Sequence, residues 1–250
     1  MEQEADGYTV RLFGASVAMD SMQRIISKHQ HSDGLIGLWP NNQMLGTVSY
    51  DFSKDQGHGT HSNVANRHRM NRSRGHYMNA SGYDPKSSSY TDILTAQLIA
   101  NFDGDAGAAF VFCKTDAAWA EGINRYALHL GTDADNLIFF RKDTVPGRLY
   151  IRHRAAATGL SQAVDGMTTA DLFCMAMMWD QVGAEVRVFL DGAYDSRGVN
   201  PDPWEGGDLT YAVIGAETLV PAGGWDGGIG LVALYNQTKT DDEMLKLSTP

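Results

Sequence analysis

The chain is predicted to fold as an all-β protein, a two-sheet sandwich or barrel. Three observations carry this. Its 250 residues include 27 glycines and 24 aromatics (5 Trp, 10 Tyr, 9 Phe), a composition of many strands and many turns. Apolar runs of strand length recur with turn signals such as "DGD", "GTDADN", "VPG", "LDG" and "PAGG" between them. Alternation is clean where it can be read: in "EVRVFLDG", Val186, Val188 and Leu190 face one way and Glu185, Arg187 and Phe189 the other.

In chain order, "YTVRLFGA" alternates as a short strand. "DSMQRIISKHQH" sets Met22, Ile25, Ile26 and His29 at helical spacing behind the N-capping residues Asp20 and Ser21. These first 34 residues read as an N-terminal arm or extension, or as a helix packed on its own domain. From residue 35 the expected strands are 35–39, 46–52, 92–102, 107–114, 124–130, 136–142, 147–153, 171–179, 184–190, 208–215 and 228–236. Long helices do not separate them, which argues against an α/β fold. The last segment, "NQTKTDDEMLKL", changes period. Thr240 and Glu243 form a capping-box pattern, Asp241 and Asp242 favour the helix N-terminus, and Met244, Leu245 and Leu247 give an apolar face.

Charge and apolar length exclude several roles. A net charge of −10 repels phosphate backbones and anionic membranes, so neither nucleic acid nor membrane is an expected partner. The longest apolar run, "LFCMAMMW", is far short of the ~20 residues of a membrane span. The opening "MEQEADGYTV" has no basic n-region or apolar h-region, so no secretory leader is read. Cys113 and Cys174 each lie in an apolar run and read as buried thiols; a cross-strand disulfide is the alternative.

Three stretches carry the resemblance to a known family. "LIGLWPNNQMLGTVSYDFSKDQGHGT" (35–60) resembles the opening strand and aspartate-bearing hairpin of laminin-G-like domains. "MMWDQVGAEVRVFLDGAYD" (177–195) resembles their central hairpin, and "YAVIGAETLVPAGGWDGGIGLVALYNQTKTDDEMLKL" (211–247) their ending. The chain therefore resembles the concanavalin A-like lectin and glucanase superfamily. That resemblance implies a two-sheet antiparallel jelly-roll over residues 35–250, with short N- and C-terminal helices. It leaves function to the site, since members bind glycans, bind proteins, cleave glucans or serve as structural modules.

In this family the first hairpin often lies beside structural calcium. Asp51 and Asp226 match the family's aspartates, and Asp55, Gln56 or Gly57 would add oxygens; calcium needs about six to eight of them. The alternative is that Asp51 and Asp55 cap a turn. His58 and His61, with His68 and His76 downstream, raise zinc, against loop histidines in solvent; neither cysteine is near them. "NRHRMNRSRGH" (66–76) places Arg67, Arg69, Arg72 and Arg74 in a basic island suited to a phosphate or an acidic protein partner, or to a solvated loop.

A glucanase of this fold would carry an E-x-D-x-E or E-x-D-x-x-E strand, and none of the seven glutamates fits one. No G-x-S-x-G, H-E-x-x-H or phosphate-loop pattern occurs. A non-enzymatic role is expected. Sugar recognition stacks an aromatic ring on a pyranose beside polar groups. Trp119 and Trp204 lie in loop-like sequence, with Asn200, Asp202, Glu205 and Asn124 as polar neighbours; the alternative is that both tryptophans are loop anchors. Trp39 and Trp179 read as core and Trp225 as packed beside the last hairpin. The resemblance and the absent leader together suggest a phage virion protein, a decoration or fibre with adhesive or stabilising role. It would dock to capsid or tail proteins or bind surface glycans. A carbohydrate-binding module of a cellular extracellular protein is the alternative. Particle-borne jelly-rolls often assemble with symmetry, which allows a homo-oligomer.

Overall fold

A computed structural model describes residues 24–41, 47–62, 90–115, 117–168, 172–199, 202–219 and 223–250. The first predicted strand (8–12) lies outside them. Residues 24–30 form α1. Then follow β1 (Leu35–Trp39), β2 (Val48–Ser49), β3 (Gly59–His61), β4 (Thr91–Asp92), α2 (Ala96–Asn101), β5 (Ala106–Thr115), β6 (Arg125–Gly131), β7 (Leu137–Lys142) and β8 (Leu149–Ala155). The chain continues with β9 (Thr158–Val164), β10 (Phe173–Asp180), β11 (Glu185–Leu190), β12 (Ala193–Val199), β13 (Tyr211–Ile214), β14 (Gly227–Tyr235) and α3 (Asp241–Ser248).

The strands make two antiparallel sheets stacked as a jelly-roll sandwich. One has the order β1-β14-β5-β10-β11-β12, the other β2-β3-β4-β13-β6-β7-β8-β9. Alternation explains the layering. In β5 and β10, Ala109, Val111, Cys113, Met175, Met177 and Trp179 point between the sheets and meet Leu130, Ile138, Phe140, Ile151 and Ala212. The residues between them point the other way, forming a second buried layer. Ala108, Phe110, Phe112, Cys174, Ala176 and Met178 are covered by Ile25 and Ile26 of α1 and by Met244 and Leu247 of α3. A strand buried on both faces reads as a continuous apolar run, which is why "AAFVFC" and "FCMAMMW" look as they do.

This layering decides between the alternatives for the N-terminal helix and for the cysteines, in favour of a helix packed on its own domain and of buried thiols, and corrects other expectations. The segment before residue 35 is no separate arm at its C-terminal end, because α1 belongs to the sandwich's outer layer. Cys113 and Cys174 sit on adjacent strands, yet one faces the inner core and the other the outer layer; both are free thiols. The expected strand 92–102 is mostly α2. Thr95 caps it by accepting from Leu98 N at 3.1 Å, and "AQLIAN" buries Leu98 alone. The expected strand 46–52 shrinks to β2. Three strands, β3, β9 and β12, were missed. The C-terminal helix matches its expectation, with the Thr240–Glu243 capping box formed.

Candidate functional site

The outer face of the eight-stranded sheet has no covering helix among the described residues, and it is there that chemistry-bearing side chains converge. Register places them. Phe139 pairs across with Arg152 and Arg141 with Tyr150 on β7 and β8; His129 pairs with Phe139 and with Val213 across β6, β7 and β13. A bulge between Tyr126 and Leu128 keeps both Tyr126 and His129 on this face while Ala127 and Leu128 turn inward.

The result is a continuous aromatic platform. Tyr126 and Phe139 rings lie 5.5 Å apart, Phe139 and Tyr150 5.7 Å, and His129 and Tyr211 4.8 Å. The Arg141 guanidinium sits over Phe139 at 4.8 Å, Tyr150 at 4.9 Å and Tyr126 at 5.5 Å, within cation–π range of all three. Tyr126 and Phe139 are nearly buried beneath it, while Arg141, Tyr150, Arg152 and Tyr211 are half-buried.

Hydrogen bonds fix the groups. Arg141 Nη1 donates to Tyr126 Oη at 2.8 Å, and Nη2 to Asp143 Oδ1 at 3.4 Å. His129 Nδ1 lies against the Glu217 carbonyl, which only an N–H can satisfy. Its Nε2 is therefore an acceptor, facing Tyr211 Oη at 3.3 Å. Burial holds His129 neutral, lowering its pKa to about 4, and raises that of Tyr211 to about 12. Arg152 differs from its neighbours. It makes no hydrogen bond or ion pair among the described residues; its buried Nε, like that of Arg141, has no partner. Burial, then the nearby Arg154 and Arg141, lower its pKa. The platform can stack flat rings and hydrogen-bond through tyrosine and guanidinium groups.

The predicted sugar-binding residues do not form one site. Trp119 follows β5 and packs against Phe173; Trp204 lies over Gly104, just before β5. The ten residues of β5 separate them, about 30 Å. Both are wedged on the inner core's rim as loop anchors. A Cβ at Gly104 would fall 2.1 Å from Trp204 Cγ, and Trp204 N donates to Asp105 Oδ1 at 2.6 Å. Phe102 and His153 flank its ring at 5.5 and 6.1 Å. Asp202 is half-buried on the same loop, and Asn200 lies outside the described residues.

The two proposed calcium ligands are also apart. Asp51 Oδ1 accepts from Leu38 N and Ser53 N at 2.8 Å; Oδ2 accepts from Ser53 Oγ and Gly57 N at 2.8 Å. Four donors occupy the lone pairs that a cation would need. Asp226 precedes β14, roughly 20 Å along that strand from Ala233, the register partner of Leu38. The pair does not fit one ion, and among the described residues no group of three or more His, Cys, Asp or Glu is arranged to hold a metal. His58 is exposed and accepts from Asp51 N at 3.2 Å. His61 is buried rather than solvated, with Nδ1 2.7 Å from Thr91 Oγ1. His68, His76, Arg67, Arg69, Arg72 and Arg74 lie outside the described residues.

No protein-family model matches the chain, and no curated protein matches it. Solved structures do. The binding domain of botulinum neurotoxin serotype D is similar over 86% of this chain and 51% of its own, at 10% identity and a TM-score of 0.60. NanB sialidase from Streptococcus pneumoniae, as a K499G mutant, is similar over 66% of this chain and 27% of its own, at 14% identity and a TM-score of 0.53. The CBM40 domain of Ruminococcus gnavus IT-sialidase, solved with alpha2,3 sialyllactose, is similar over 58% and 83%, at 14% identity and a TM-score of 0.49. The toxin and NanB likenesses show a shared two-sheet sandwich fold; this chain spans about half of the toxin domain and about a quarter of the sialidase.

Proposed function

We propose that the protein is a non-enzymatic, lectin-like jelly-roll that binds a glycan on the outer face of its eight-stranded sheet. One observation carries the reading: Tyr126, Phe139 and Tyr150 form a contiguous ring cluster with Arg141 across it, and it is the half-buried Tyr150 ring, the Arg141 guanidinium and Tyr211 that a ligand would meet. A pyranose needs such a surface, an apolar floor with a few fixed polar groups. The glutamates support binding without cleavage, since several have structural work. Glu121 holds Arg125 through both oxygens, Glu185 pairs with Arg187 and Arg197, and Glu243 caps α3.

A glycan array followed by titration calorimetry tests the reading. Tyr150→Ala should weaken the best ligand about tenfold, the scale of one aromatic contact. Trp119→Ala and Trp204→Ala should leave affinity unchanged, because those rings anchor loops elsewhere. Binding that survives Tyr150→Ala, or reducing-sugar release from any glycan, would overturn it. Display on a virion surface is part of the proposal and has its own test, co-purification with capsid or tail proteins; recovery with cell-envelope glycans alone would favour a cellular carbohydrate-binding module.

A further inference from the structure

We infer that the glycan is acidic, and that Arg152, flanked by Arg141, receives a sugar carboxylate at the β8–β9 side of the platform. This rests on the glycan-binding reading above and names the ligand class for that same face.

The argument is one of charge left over. The other arginines of this region are matched. Arg141 has Asp143 and the Tyr126 hydroxyl; Arg148 has Asp165 at 2.7 Å; Arg154 has Asp135 at 2.8 Å and the carbonyls of Ala134 and Ala157. Arg152 has no such partner among the described residues. It stands half-buried between two like charges in a chain whose net charge is −10. An isolated cation in a partly desolvated setting is unfavourable unless an anion completes it. The guanidinium fork suits a planar carboxylate, which it can hold bidentately.

Two neighbours shape the seat. The guanidinium lies over Gly159 of the edge strand β9, where a Cβ would approach Nη2 to 2.3 Å; the missing side chain is what lets Arg152 lie down there. At the opposite margin stands Glu217, whose carbonyl accepts from His129 Nδ1 and whose negative charge acts on Tyr126 and Tyr211. An anionic ligand is repelled at that side and attracted at the other. The sugar therefore lies against the half-buried Tyr150 ring beside Arg141, with its carboxylate toward Arg152 and its hydroxyls toward the Glu217 side of the platform.

The test is calorimetric titration of the full chain with sialyllactose and hexuronate-terminated oligosaccharides, with their carboxyl-reduced counterparts, and with O-sulfated neutral oligosaccharides. Carboxyl reduction should weaken binding at least tenfold. Arg152→Gln should cost the same factor on the acidic ligand, cost nothing on the reduced one, and leave the melting temperature unchanged or raised. Gly159→Val keeps the charge but displaces it, and should reproduce the loss. Equal affinity for acidic and reduced forms, an unaffected Arg152→Gln, or binding of sulfated glycans in place of carboxylated ones would each overturn this inference. In all three cases a Tyr150-dependent neutral or sulfated ligand would leave the glycan-binding face standing. Absence of every Tyr150-dependent ligand would remove both.

Discussion

Of the four histidines buried among the described residues, His29, His129 and His153 set how this protein responds to acid. His29 and His153 are 0% and 1% exposed and His129 is 7% exposed, each in an apolar or aromatic setting. His29 packs between Phe110 and Phe112 with Nδ1 2.8 Å from Tyr235 Oη; His153 donates from Nε2 to the Gly104 carbonyl at 3.0 Å. Burial lowers the pKa of His29 to about 3 and those of His129 and His153 to about 4. An unfolded histidine titrates near 6.5, so below that pH the unfolded chain binds more protons than the folded one. The sign follows. Stability from the neutral histidines is complete above about pH 6.5 and is lost as pH falls toward 4 and then 3. Each histidine contributes about 1.4 kcal/mol per pH unit, so three give a slope near 4 kcal/mol per unit; by pH 5 the loss is about 6 kcal/mol. A domain of ordinary stability has about 5–15 kcal/mol to lose. Acid unfolding should therefore set in near pH 5, before most carboxylates titrate. Urea titrations near pH 7, 6, 5.5 and 5 measure it through the midpoint at constant m-value. His29→Gln and His153→Gln should each remove about one proton from the slope. A slope of less than one proton, or one that neither substitution changes, would refute the reasoning.

Two other predictions concern the frame that carries the platform. Asp51→Asn removes acceptors from a buried four-donor cluster and should cost about 3 kcal/mol, a melting-temperature drop of about 6–12 °C. A chelator should not change that difference; a chelator-induced drop in the parent chain that Asp51→Asn abolishes would restore calcium. At the β8–β9 turn, Ala156 and Ala157 both have positive φ, 47° and 67°. Replacing them with Asn-Gly should raise stability by about 1–2 kcal/mol, read as a rise of about 2–8 °C in melting temperature, because those residues enter the left-handed region at little cost. No rise would mean that the turn's geometry is other than described.

The same alanines explain what was hard to read. Most strands announced themselves through alternation or a continuous apolar run, and the C-terminal helix through its capping box. β9 did not. Its turn carries none of the residues that mark a tight hairpin, and "TGLSQAV" is mostly half-exposed, so neither end nor face gave a signal. β12 hid differently. The Asp191-Gly192 turn before it was visible, with φ of 50° and 74° as such hairpins require, but the polar strand "AYDSRGV" after it shows no apolar face. In "DILTAQLIANF" the apolar residues fit a strand; the helix follows from the Thr95 cap and from packing that only the fold supplies.

The site was obscured for a related reason. The loop tryptophans Trp119 and Trp204 lie at rims, where rings hold loops down. The platform instead uses outward positions of three consecutive strands and of the distant β13, and a bulge at Tyr126 that no pattern announces. A signal was nonetheless present. In "LIFFRK" the outward residues are Phe139 and Arg141, and in "LYIRHRA" they are Tyr150, Arg152 and Arg154. A solvent-facing strand position normally carries a small or charged residue with a partner nearby. Here the Tyr150 ring leaves apolar surface half-wet and Arg152 stands without a counter-ion among the described residues, and neither gains the fold much stability. Residues that serve the fold poorly at the positions they hold are the ones that need a ligand to account for them.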